Sequence, residues 1–205
     1  YDIWSVNYSG GSPSQLTTDA AADEREPDWS SDGKLVYKAN PLDSARDIKG
    51  ELWVLELGSA APYSLGVQGR GPAWSPDSRS ITFMSDADGK WKIYVIDIAT
   101  RQVVEAATCT TNCRWPAWSP DGQWIAYNTT TAVGSTVPES IWISSQGHQE
   151  WTMLADQNNA GRPSWSSNGL VAYNTNNGIE VVDPATRSVN LLIDDSTAWA
   201  PAWSR

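Results

Sequence analysis

Apolar and polar residues alternate along this chain in short runs, and the runs recur. The alternation is plainest in "KLVYKAN" from Lys34, "SITFMSD" from Ser80, "WIAYNTT" from Trp124 and "LVAYNTN" from Leu170. A period of two sustained over such lengths predicts a β-strand. Each run follows a tight turn: "SSDG" at Ser30–Gly33, "SPDS" at Ser75–Ser78, "SPDG" at Ser119–Gly122 and "SSNG" at Ser166–Gly169. Proline suits the second place of a type I turn, Asp or Asn tolerates the third and can bond the backbone, and Gly relieves the exit. Before each turn stands Pro-x-Trp, read as a short first strand. Its tryptophans are Trp29, Trp74, Trp118, Trp165 and a last copy at Trp203, with spacings of 45, 44, 47 and 38 residues.

Two further strands complete the unit. A third strand reads "ELWVLELG", "KIYVIDIAT", "SIWISSQG" and "GIEVVDPAT", and "DIWSVNYSG" near the start of the chain matches it. A fourth reads "PYSLGV", "VVEAAT", "EWTMLA" and "VNLLID", with "PSQLTTD" as the early copy. The pattern is therefore all-β, four antiparallel strands per repeat, with no helical period. Four-stranded sheets repeated radially at this period are the blades of a β-propeller. Counting them predicts a single domain over residues 1–205, a five-bladed ring. Its closing blade would combine N-terminal strands within 1–18 and a C-terminal strand over 200–205. The alternative is an open arc of blades from a larger array, and both chain ends read as if cut from something longer.

Composition narrows the possible partners. With 14 basic against 24 acidic residues the net charge is −10, which argues against nucleic acid and against anionic lipid. No apolar run is long enough to span a membrane. Thirteen tryptophans against one phenylalanine point to a repeated positional role for indole, since wide flat rings suit packing between twisted sheets. Cys109 and Cys113 have too few partners for a metal site, since the chain holds one histidine and no further cysteine. A disulfide and an oxidising compartment are expected, with two free thiols as the alternative. No metal or cofactor is expected.

The unit "PAWSPDGQWIAY…IYVID" resembles the TolB-like β-propeller family, relatives of the WD-type propellers. The resemblance covers nearly the whole chain and departs from the pattern only in its turns, at "DWSSDG", Ser78 and "SSNG". It implies a periplasmic or extracellular bacterial location and peptide or protein binding at the channel mouth. The family also supplies sensor modules of larger chains and the gating domains of prolyl-oligopeptidase-type peptidases.

In a propeller the first strands line the central channel, so the residues just before Pro-x-Trp are the most informative. Arg25, Arg70 and Arg114 lie two before the proline and Arg162 one before it. A ring of guanidinium groups would favour a carboxylate or acidic peptide, with Trp115 and Trp199 beside it as stacking surfaces. The competing expectation is that each Arg pairs with a turn aspartate, Asp32, Asp77 or Asp121, and ties blades together. Catalysis is not expected. Paired carboxylates for glycoside hydrolysis occur on one inner strand only, at Glu26 and Asp28, and the single histidine, His148, reads as a turn residue. "DADG", Asp86–Gly89, reads as a hairpin turn before a calcium loop. The long loops over 40–51 and 129–140 could form a partner surface. The reading is a non-enzymatic, monomeric binding module, a sensor or scaffold for a peptide or protein ligand. A peptidase gating domain is the alternative, with a polysaccharide hydrolase behind it.

Overall fold

The repeat folds as the alternation requires. The computed structural model describes residues 1–42, 49–87, 89–107, 109, 111–130, 139–145, 151–156 and 160–203. His148, Asp88 and the middles of both long loops lie outside them. All regular elements among the described residues are strands, and no helix is long and apolar enough to cross a membrane.

A short pair, β1 (Trp4–Ser5) and β2 (Ser14–Gln15), precedes the first complete blade. That blade consists of β3 (Ala22–Trp29), β4 (Lys34–Pro41), β5 (Gly50–Glu56) and the first half of β6 (Tyr63–Trp74). The second half of β6 is the inner strand of the next blade, with β7 (Ser80–Ser85), β8 (Lys92–Asp97) and β9 (Val103–Ala107). Register shows the handover: Val54 pairs with Tyr63 and Gly50 with Gly69, whereas Arg70 pairs with Met84 and Trp74 with Ile81. The third blade is β10 (Asn112–Trp118), β11 (Trp124–Thr130), β12 (Ser140–Ser145) and β13 (Trp151–Asp156). The fourth is β14 (Gly161–Trp165), β15 (Val171–Thr175), β16 (Gly178–Val182) and β17 (Val189–Asp194).

The blades share an axis. Trp29, Trp74, Trp118 and Trp165 line one cavity of about 350 Å³ together with Ser30, Ser119 and Ser166. The second strands look almost continuously apolar because each of their faces meets a different neighbour. On β4, Leu35 and Tyr37 pack with Ile3 of the N-terminal segment, while Val36 packs with Trp74, Ile81 and Phe83 of the second blade. The same division sends Tyr127 of β11 towards the second blade and Ala126 towards the fourth.

The C-terminal segment expected as a strand is not one over 200–203, and those residues share no sheet with β1 and β2. It still lies against the fourth blade's inner strand, where the Trp203 N–H donates to Ser164 Oγ at 3.2 Å.

The serine after each tryptophan organises the turn. Ser30, Ser75 and Ser119 donate to Asp32, Asp77 and Asp121, each at 2.6 Å, and Ser166 approaches Asn168 at 2.5 Å. Each serine oxygen also accepts the N–H that opens the next strand, as Ser119 does from Trp124 at 2.9 Å. Ser78, standing where other turns have glycine, holds φ 59 and joins its turn to the preceding blade through Ser31 Oγ at 2.8 Å. The serine hydroxyls hold the carboxyls of Asp77 and Asp121 below the ordinary carboxylate range, helped by backbone N–H donors. Because the folded pKa lies below the unfolded value of about 3.9, this stabilisation is complete above that value and is lost as pH falls through the folded pKa. The double variant Asp77→Asn, Asp121→Asn should therefore show a flatter fall in urea midpoint than the parent chain between about pH 4 and 2. An unchanged acid slope would contradict it.

Candidate functional site

The inner strands share a feature that their sequence does not announce. In each complete blade the register between inner and second strand slips just before the tryptophan. The slips lie between Arg25 and Asp28, Arg70 and Ala73, Arg114 and Ala117, and Gly161 and Ser164. The residue preceding proline takes a left-handed backbone every time: Glu26 at φ 56, Gly71 at 54, Trp115 at 54, Arg162 at 27 and Ala200 at 51. Proline ordinarily pushes its predecessor towards extended backbone, so this repeated bulge is held against local preference. Bulges re-aim side chains, and here they do so at the same repeat position, just before the tryptophan of each inner strand.

The result is a contact chain running from blade to blade. Arg70 donates to Glu26 Oε1 through Nε at 3.2 Å and Nη2 at 3.0 Å. The Glu26 carboxylate also lies 3.4 Å from Lys38 Nζ and accepts the Gly71 N–H at 2.8 Å. The Arg70 guanidinium lies 5.2 Å from the Trp115 ring centre, and Arg162 lies 3.8 Å from the same ring. Arg162 is also 4.3 Å from the Trp199 ring, which places it between two indoles. Gly71 permits this arrangement, because a Cβ there would stand 3.1 Å from the Trp115 ring.

Four of the expected residues, Arg70, Trp115, Arg162 and Trp199, are thus brought together. Arg25 stands beside them but is engaged on its own strand, donating to both Asp23 oxygens at 2.9 Å and lying 3.8 Å from the Tyr1 ring. Arg114 precedes Trp115, and its Nε is buried without a hydrogen-bond partner. Burial pushes the Glu139 carboxyl above its ordinary range and Arg114 pulls it partly back, which marks the two as electrostatic neighbours.

The expected pairing with turn aspartates does not occur for Arg25 or Arg70. Their carboxylates are Asp23 and Glu26, whereas Asp32, Asp77 and Asp121 bond their own turn serines at the far end of the inner strands. Sequence reading missed Glu26 and Lys38 as parts of this cluster. The signal for Glu26 was its repeat position, shared with Gly71, Trp115, Arg162 and Ala200. Lys38 faces Arg25 across the ladder, where the other blades place Met84, Asn128 and Asn174. Neither carboxylate considered for glycoside hydrolysis is left without a partner, since Glu26 serves Arg70 and Asp28 accepts the Trp74 N–H at 2.7 Å.

The two cysteines are joined, with Cα atoms 6.0 Å apart. The bridge closes the link from β9 to β10 and ends one residue before Arg114. Buried Cys113 also donates its N–H to the Trp91 carbonyl at 2.8 Å.

Comparison with known proteins agrees with this architecture. A family model described as the TolB beta propeller domain matches residues 42–205. No curated protein matches. Among solved structures, the putative TolB from Agrobacterium tumefaciens is similar at a TM-score of 0.76 and 19% identity, covering 98% of this chain and 78% of that one. TolB from Acinetobacter baumannii gives 0.72 and 20%, covering 95% of this chain and 50% of that one, so the chain spans half of that protein's length. A puromycin-hydrolyzing peptidase from Mycobacterium tuberculosis gives 0.70 and 16%, covering 89% and 30%.

Proposed function

The chain belongs to the TolB β-propeller domain family, and from that membership we propose a non-enzymatic binding module whose mouth takes an acidic peptide segment of a partner. It would serve as the sensor or scaffold of a larger bacterial protein in the periplasm or outside the cell, where the Cys109–Cys113 bridge is at home. One observation carries the reading: Arg162 lies between the Trp115 and Trp199 rings, 3.8 Å and 4.3 Å from their centres. Indole faces hold a guanidinium in place, and the planar fork of a guanidinium matches a carboxylate. Arg114, the residue before Trp115, has an Nε buried without a partner and supplies a second donor. The net charge of −10 repels such a ligand at a distance, so recognition rests on these contacts rather than on long-range steering.

Titration calorimetry with a short Asp- and Glu-containing peptide tests this. The double variant Arg114→Gln, Arg162→Gln should bind at least about tenfold more weakly, since a hydrogen bond to a charged group contributes about 1.5–3 kcal/mol. Its thermal midpoint should stay near that of the parent. Unchanged affinity, or an unfolded variant, would overturn the proposal and make these arginines ties between blades.

A second reading is the propeller portion of a peptidase whose catalytic residues lie in another domain. It is favoured by the similarity to the M. tuberculosis peptidase, of which this chain covers 30%. Peptide binding by the isolated propeller, without turnover, would leave this reading open, and the sequence of the parent protein decides it.

A further inference from the structure

Three donors converge on one carboxylate at the mouth, and the carboxylate is the chain's own. Lys38 is 1% exposed, among the largest fully buried side chains, and its ammonium sits 3.4 Å from Glu26 Oε1. Arg70 Nη2 reaches the same oxygen at 3.0 Å, and the Gly71 N–H donates to Oε2 at 2.8 Å. Two cations and a backbone N–H around both oxygens of a carboxylate make an anion-binding site in composition and geometry. Burial pushes the Lys38 ammonium down and the nearby Glu26 carboxylate pulls it partly back.

What holds Glu26 there is not the local backbone. The residue sits at φ 56, a conformation costly for a side-chain-bearing residue ahead of proline. The equivalent place in the next blade is Gly71, at φ 54, where no side chain exists. The repeat can therefore be built without a side chain here, and glycine would relax the backbone. Glu26 contributes its carboxylate to a position the fold does not otherwise require to be acidic.

We propose that Lys38, Arg70 and the Gly71 N–H form a carboxylate-binding seat that Glu26 fills from within the chain, closing this side of the mouth to external acids. Under the function proposed above, an acidic ligand is then directed to Arg114 and Arg162. The seat itself does not rest on that reading.

The test is chemical rescue. Glu26→Gly empties the seat and leaves Lys38 and Arg70 without their shared carboxylate, so its thermal midpoint should fall. Sodium acetate, titrated against chloride at constant ionic strength, should restore it. At tenfold excess over its dissociation constant, acetate should raise the midpoint by about 3–6 °C. Lys38→Met added to Glu26→Gly should abolish the rescue, and the parent chain should not respond. A variant that folds only when acetate is present supports the seat equally. No rescue at any acetate concentration, including a variant that never folds, overturns it. An equal rise in parent and variant places acetate elsewhere and also overturns it, and the peptide titration alone then decides the Arg114–Arg162 reading.

Discussion

Trp74→Ala should lower the stability of the propeller by about 3–5 kcal/mol, the range for emptying a fully buried aromatic site. The ring is 0% exposed and packs with Val36, Leu52, Val54, Leu65, Ile81, Phe83 and Ile96, which come from both the first and second blades. Its Nε1 has no hydrogen-bond partner, so the loss is one of packing. The backbone tie from the Trp74 N–H to Asp28 survives the substitution. Trp29 occupies the same place in the first blade but is 38% exposed, so Trp29→Ala should cost less than half as much. Urea unfolding followed by both circular dichroism and tryptophan fluorescence would separate global loss from local opening of one blade, to which repeat architectures are prone. Equal midpoints for the two variants would contradict the account of how blades are joined.

Trp115→Ala should weaken the acidic peptide by at least about 2 kcal/mol, roughly 30-fold, the scale of an aromatic hot spot. Its ring stands between Arg70 at 5.2 Å and Arg162 at 3.8 Å and rests against Gly71. Without it, Arg162 loses one of its two indole faces, and the other, Trp199, is 66% exposed. The cost should fall on affinity more than on folding, because Trp115 is only partly buried. Trp115→Phe keeps a π-face and should recover part of the lost affinity in the same calorimetric titration. Equal binding by Trp115→Ala and the parent would remove the indoles from the site.

The architecture was legible in the sequence because its determinants are local. Turn chemistry at Ser75–Ser78 and Ser119–Gly122, two-residue alternation in the second strands and the spacing of tryptophans each act over a few residues. What escaped reading depends on long-range geometry. Arg70 meets Glu26 across 44 residues of chain, and the meeting needs a bulge that local preference before proline disfavours. A one-residue register slip re-aims every side chain beyond it, so alternation alone could not say which way Glu26, Trp115 and Arg162 point. The turn aspartates could be read as partners of the arginines because nothing local marks the serine two positions earlier as their donor. Burial of Lys38 has no sequence signal at all, since lysine is ordinarily a surface residue.

The ligand is expected at the cluster formed around the inner-strand bulges, and not in the indole-lined cavity where those strands end. Nitrogen-15 spectra of the indole N–H groups during titration with the acidic peptide distinguish the two places. Saturable shifts of the Trp115 and Trp199 signals are expected, while those of Trp74 and Trp118 stay in place. Shifts confined to Trp29, Trp74, Trp118 and Trp165, or no shift under saturating peptide, would contradict it.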